Sequence, residues 1–223
     1  MSGPGEDSFL DQAAVRAVFG AGYPVVAALA GLLEDEGVVR GLIGPREAGR
    51  LWTRHLINCA ALEPFLPRRG LVVDIGSGAG LPGLVLAAMR PDLDFELVDA
   101  MRRRTQWLEE AVEGLGLANA VVTWSRVEAL HGQRRCAAVV SRAVGSLAVL
   151  AEWGAPLLEP GGLFLALKGR SASDELRRYQ AAGAGHDLTG LQVKAVRVLA
   201  PLEATYVVRG TKGQTNVGAV AHN

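Results

Sequence analysis

The chain has 223 residues, enough for one α/β domain with an appendage around a single core. Hydrophobic residues make up 49% and charged residues 21%, which are ordinary globular values. Lys+Arg and Asp+Glu are both 23, so the strong basic excess that advertises a nucleic-acid partner is absent, although a neutral chain can still carry a basic patch. The two cysteines, Cys59 and Cys136, lie far apart beside apolar stretches, which suits a reducing cytoplasm better than a disulfide scaffold. The first seven residues are small, polar and acidic, unlike a secretory or transit signal. The longest uncharged stretch, 17–33, is interrupted by Gly20, Gly22, Pro24 and Gly31. That predicts two soluble helices with a turn between them rather than a membrane span.

In chain order, residues 8–65 read as helical. Ser8 is placed to cap a helix over 9–19, and Pro24 stands at the first turn of a helix over 25–33. Pro45 opens a third over 46–62, with Leu51, His55, Leu56 and Cys59 on one face. After Pro67-Arg68-Arg69-Gly70 short apolar runs alternate with helical patterns. Strands are expected at 71–74, 95–99, 120–123, 137–141 and 163–167, and helices at 82–89, 103–115 and 146–158. Two later runs, 193–199 and 206–209, form an antiparallel pair around a turn near Pro201. The expected architecture is an N-terminal helical extension (1–66), an α/β domain (67–210) and a tail without fixed structure (211–223). Five alternating strands and a hairpin give a mostly parallel seven-stranded sheet with helices on both faces, the element order of the class I, Rossmann-like methyltransferase fold.

Ligands of an open parallel sheet sit at the carboxyl ends of its strands, so the residues just past each strand are the candidates. The first strand ends in Asp74 and runs into Gly76-Ser77-Gly78-Ala79-Gly80-Leu81-Pro82-Gly83. Glycine there permits positive φ and close approach of a ligand to the backbone. The second strand ends in Asp99, a carboxylate able to accept both hydroxyls of a ribose. Ser125-Arg126-Val127-Glu128, Arg142 and Lys168-Gly169-Arg170 follow the next three strands. The glycine turn also satisfies a dinucleotide fingerprint. Asp74 favours S-adenosylmethionine, because a carboxylate would repel a pyrophosphate but help to hold the cationic amine of a methionine moiety. Glu128 offers an acceptor for an adenine amino group.

The methyl acceptor is narrowed by what is missing. Cys136 precedes a buried strand and Cys59 lies in a helix, so neither is placed as the nucleophile that pyrimidine C5 methylation requires. Ser141-Arg142-Ala143-Val144 stands where an exocyclic-amine methyltransferase carries an Asn- or Asp-Pro-Pro-aromatic sequence. An acceptor that is already nucleophilic remains, and guanine N7 has a lone pair and no proton to remove. A small-molecule acceptor, or a non-catalytic RNA- or ribosome-binding protein on the same scaffold, stays open at this point.

Asp74-Ile75-Gly76-Ser77-Gly78-Ala79-Gly80-Leu81-Pro82-Gly83, Leu97-Val98-Asp99-Ala100, Ser141-Arg142-Ala143, Leu158-Glu159-Pro160-Gly161-Gly162 and Leu167-Lys168-Gly169 together resemble one family. It is the bacterial small-subunit ribosomal RNA guanine-N7 methyltransferase family, also called glucose-inhibited division protein B. Arg54-His55-Leu56 resembles the same family's Arg-His segment. The resemblance implies methylation of one guanine in a 16S RNA loop near the decoding centre. It places S-adenosylmethionine near Gly76, Leu81, Asp99, Ala100, Met101, Val127, Glu128 and Arg142, alongside Asp74, Gly78 and Gly80 of the turn. Arg142, at the lip, is the candidate catalytic residue for contact with the target base or phosphate. Two segments depart from the family pattern: Gly41-Leu42-Ile43 stands in place of an Asn-Leu-Thr stretch, and Ala204-Thr205-Tyr206 lacks an Arg-His pair.

Arg102-Arg103-Arg104 puts cations at a helix start, against the macrodipole, at a cost of about 0.3–1 kcal/mol. A rule broken at a strand end points to phosphate contact, so Arg102 and Arg103 join Arg54, His55, Lys168 and Arg170 as candidate RNA contacts. His131, His186 and His222 have no ligand spacing, so no metal is expected. Trp107 reads as core, and Trp52, Trp124 and Trp153 as packing in preference to base stacking. The expected partner is 16S ribosomal RNA or the small ribosomal subunit, met by a cytoplasmic monomer without a membrane.

Overall fold

The structure is a computed structural model that describes residues 6–142, 144–183 and 186–214. Ala143 and the tail residues 215–223 lie outside the described residues. In chain order the elements are α1 (Gln12–Phe19), α2 (Tyr23–Glu36), α3 (Ile57–Ala60), β1 (Leu71–Ile75), α4 (Gly83–Met89), β2 (Asp94–Asp99), α5 (Arg102–Gly114) and β3 (Ala120–Trp124). They continue with β4 (Cys136–Arg142), α6 (Leu147–Gly154), β5 (Leu158–Lys168), α7 (Ala172–Ala181), β6 (Leu188–Val196) and β7 (Thr205–Lys212). The strands form one seven-stranded sheet in the order β3-β2-β1-β4-β5-β7-β6. The first five pair in parallel, and β7 enters antiparallel between β5 and β6.

Alternation along each central strand sends neighbouring side chains to opposite faces. Val72, Leu97, Val140 and Leu165 join one core with α4, α5 and the N-terminal helices, where Val15, Phe19, Leu29 and Leu33 are buried. Val73, Ile75, Val98, Val139 and Phe164 join the other, under α6 and α7, with Leu150, Leu176 and Tyr179. Helices therefore cover both faces. The segment Gln12–Glu36 is long and apolar enough to cross a membrane by length and composition, and part of it packs on the sheet in this way.

Several local expectations are corrected. The first helix begins at Gln12 rather than at 9, and Asp11 caps it: its carboxylate accepts from the Ala13 N–H at 2.9 Å. The helix expected over 46–62 is broken into a 3-10 turn (Ala48–Arg50), a π-helical turn (Trp52–Leu56) and α3. Its cause lies far away in sequence. The Asp7 carboxylate accepts from the N–H groups of Trp52 and Thr53 at 3.0 and 2.9 Å, satisfying donors that a helix start leaves open. The wide turn still keeps Leu51, Leu56 and Cys59 fully buried. The helix α7 was not anticipated, and β6 begins five residues before the expected run. The last strand continues to Lys212, past the boundary expected at 210.

Candidate active site

The turn after β1 is pinned from both sides. The N–H groups of Gly76 and Ser77 donate to the Val98 carbonyl at 2.9 and 3.1 Å, tying the turn to β2. Asp74 is fully buried beneath it. One of its oxygens, Oδ2, accepts from the Gly83 N–H at 3.0 Å, and its carbonyl accepts from the Ser77 hydroxyl at 2.9 Å. Gly83 has no alternative: a Cβ there would come within 2.6 Å of that Asp74 oxygen and 2.2 Å of Leu97. The other oxygen, Oδ1, has no hydrogen-bond partner among the described residues. Burial pushes the Asp74 carboxyl up to about 7, against the lowering influence of Ser77 and Gly83. Asp74 thus lies under the cavity floor rather than on its wall.

Asp99 ends β2 with both oxygens engaged: Oδ2 accepts from the Gly78 N–H at 3.0 Å and Oδ1 from the Met101 N–H at 2.8 Å. A carboxylate has about four lone-pair positions, so two remain for a diol. Beside it a cavity of about 210 Å3 brings together Asp99, Ala100, Met101, Val127 and Glu128. A second, of about 270 Å3, is walled by Gly76, Gly78, Leu81, His55 and Arg142. The two share Gly76, Arg104 and Val144. At Gly78, with φ +57°, a Cβ would meet nothing closer than 3.8 Å, leaving a backbone cradle that a ligand can approach. The glycine turn, the Asp99 carboxylate and the Glu128 acceptor fit an adenosyl ligand carrying a cationic tail.

Sequence reasoning missed Arg104. Its guanidinium lies 3.5 Å from Asp99 Oδ2 and lines both cavities. The signal was present: Arg104 falls at helical spacing from Leu108 and Ala111, on the buried face of α5. Arg102 instead turns outward, over the Trp124 ring at 5.2 Å and toward Glu109 at 3.5 Å. Arg103 is exposed on the side of Gly41.

Arg142, at the end of β4, is gripped by the N-terminal segment. It donates to the His55 carbonyl at 3.3 Å, to Cys59 Sγ at 3.6 Å and to His55 Nδ1. A guanidinium only donates, so Nδ1 must accept and the imidazole proton must sit on Nε2. That nitrogen faces Glu47 Oε2 at 2.7 Å. Burial and the Arg142 charge hold His55 below its ordinary value, with Glu47 opposing. The hydrogen bond from His55 in turn lowers Glu47. His55 thus faces Arg142 as a neutral acceptor.

Lys168 points away from solvent: its ammonium donates to the Gly145 carbonyl at 2.9 Å and to Glu175 at 3.1 Å. Arg170 pairs with Glu203 on the surface. Arg54 is exposed and makes no ion pair among the described residues. The two departures from the family pattern both reach cavities. Leu42 and Ile43 edge the one that holds His55 and Arg142, and Ala204, Thr205 and Tyr206 edge another beyond Lys168. No group of His, Cys, Asp and Glu suited to a metal occurs among the described residues.

Comparison with known proteins finds relatives by sequence and by fold. The family model described as rRNA small subunit methyltransferase G matches residues 24–200. A ribosomal RNA small subunit methyltransferase G of Thermobifida fusca is 52% identical over 163 residues, covering 73% of this chain and 69% of its own. That of Streptomyces coelicolor is 46% identical over 206 residues, covering 91% and 85%. Among solved structures, a predicted O-methyltransferase from Agrobacterium tumefaciens superposes with TM-score 0.55 at 16% identity, over 72% of this chain and 82% of that one. The Thermus thermophilus 16S rRNA N2 G1207 methyltransferase, solved with AdoMet and guanosine, gives 0.52 at 20% identity, over 70% and 42%. At such identities the likeness to the solved structures is one of fold. The sequence match goes further: the chain belongs to the rRNA small subunit methyltransferase G family.

Proposed function

We propose that this protein transfers a methyl group from S-adenosylmethionine to N7 of a guanine in small-subunit ribosomal RNA. The observation that carries the reading is the pair of joined cavities, one ending on Asp99 and Glu128, the other on Arg142. When bound, S-adenosylmethionine supplies an electrophilic methyl on a sulfonium. Asp99 would take the ribose hydroxyls, and Glu128 beside Met101 and Val127 the adenine. The Gly76–Gly80 backbone would line the methionine tail, with the Asp74 charge beneath it. Arg142 then faces the acceptor as a fixed cation that orients base or phosphate. N7 attacks with a lone pair and loses no proton, so no general base is required of the chain. The same reading has the protein act as a monomer in the cytoplasm.

Mass spectrometry of small-subunit RNA from cells with and without the gene tests the assignment. The N7-methylguanine content is expected to fall by one residue per subunit in its absence, and unchanged content would overturn the reading.

A further inference from the structure

A cavity larger than either part of the cofactor cleft lies to one side of it. About 440 Å3 of space opens between the N-terminal segment, the end of β5 and the chain before β7, within the ~300–1,000 Å3 range of ligand sites. It neighbours the reaction site through shared walls. A smaller cavity of about 240 Å3 shares Asn58, Lys168, Gly169 and Thr205 with it and shares Arg142 with the cofactor cleft. Among the described residues the walls are cationic and aromatic: Arg50, Arg54 and Arg170 stand around them with Phe9 and Tyr206, against the carboxylate of Glu203. Phe9 is 57% exposed, so its ring is open to a ligand.

Resting on the RNA-methylating reading above, we propose that this cavity seats a nucleotide of the acceptor strand next to the modified guanine, its phosphate among the guanidinium groups and its base against Phe9 and Tyr206. An unpaired base presents a flat face that aromatic rings and guanidinium planes stack on, while its phosphate seeks fixed cations. Arg54 has no ion pair to surrender among the described residues. The Arg170–Glu203 pair is exposed on both sides, and surface pairs of this kind are weak enough to exchange for a phosphate. Ala204 has the smallest side chain on the wall made by the approach to β7, which helps to leave room for the base. The placement gives the enzyme two grips on the strand, one at Arg142 and one here, and so fixes which guanine reaches the methyl.

The test is steady-state methylation of small ribosomal subunits purified from cells lacking the gene, comparing the intact protein with Arg54→Gln and with Ala204→Trp, which fills the cavity. Both variants are expected to raise KM for the subunit about tenfold, with Kd for S-adenosylmethionine unchanged. Arg54→Gln should also lower the slope of log KM against log salt by about one, the mark of a lost phosphate contact. Unchanged KM and slope in Arg54→Gln would overturn the proposal, as would a fall in kcat alone. Should Ala204→Trp fail to fold, the exposed Arg54→Gln still decides. If the unmodified protein methylates no subunit at all, the functional reading fails and not merely this site.

Discussion

Asp74→Asn isolates the energetics of the buried carboxylate. Asp74 has an ordinary value of 3.8 that burial lifts to about 7. At ~1.36 kcal/mol per pH unit, ionising it in the folded protein costs about 4 kcal/mol relative to the unfolded chain. The sign follows from which state holds the proton. Folded protein keeps it at pH values where the unfolded chain has released it, so this contribution is complete below 3.8 and lost as pH rises toward 7. Asparagine keeps the shape and an oxygen for the Gly83 N–H but cannot ionise. The stability of Asp74→Asn relative to the unmodified protein should therefore rise by about 2 kcal/mol between pH 5 and pH 7 and level off above the folded value. Urea unfolding of the ligand-free proteins across that range measures it, and taking the difference removes every other titrating group. A difference that stays flat with pH would refute the argument. The same carboxylate links to the cofactor: a cationic amine above it would draw its value down. Calorimetry in two buffers of different ionisation enthalpy should then show proton release on binding near pH 7, absent in Asp74→Asn.

Asp99→Ala should abolish measurable S-adenosylmethionine binding by calorimetry. It should also destabilise the fold, because it strands the Gly78 and Met101 N–H donors at about 1–3 kcal/mol each. Retained affinity would remove Asp99 from the site. Arg142→Lys should lower kcat by about 10- to 100-fold, the worth of a charge-assisted hydrogen bond, with cofactor Kd little altered. Loss of cofactor affinity with kcat preserved would displace Arg142 from the acceptor side. The pH–rate profile should fall on the acid side below the ordinary histidine value of 6.5, because protonated His55 can no longer accept from Arg142. His55→Gln, which keeps an acceptor and cannot titrate, should flatten that limb. An identical limb in the variant would assign it elsewhere.

The strand ends were legible because each rests on local signals. Short continuous apolar runs mark the central strands, and glycines that no side chain could replace mark the turn, as Gly83 shows by standing against Asp74 and Leu97. Arg104 was readable in principle from its spacing to Leu108 and Ala111, but the run of three arginines hid which one turns inward. The helix α7 carried a signal of the same kind, with Ala172, Leu176 and Tyr179 buried at spacings of four and three and Asp174 and Glu175 in the first turn. The early start of β6 was masked by Gly190 at φ +61°, where the register with β7 shifts between Thr189 and Gln192 and the alternation breaks. Lys168 reads from sequence as a free cation after a strand. Only the fold reveals that Glu175 and the Gly145 carbonyl take its charge.

What no local pattern could disclose is the dependence of the reaction site on the N-terminal segment. Asp7 satisfies the N–H groups of Trp52 and Thr53 from 45 and 46 residues away. That start leads into the π turn, whose wider winding brings His55 toward β4 while Leu51 and Leu56 stay in the core. Arg142, 87 residues beyond His55, is then held by its ring and carbonyl. Each link joins residues whose separation hides the contact, yet each uses an ordinary bond. The helical segment before the sheet is therefore part of the machinery that aims Arg142, and it also supplies Phe9, Arg50 and Arg54 to the adjoining cavity. In the proposed arrangement cofactor residues come from the strand ends of the sheet, whereas acceptor residues come from the seam between the sheet and the segment before it. This division explains why the strand ends, read together, point to a methyl donor but say little about where the methyl goes.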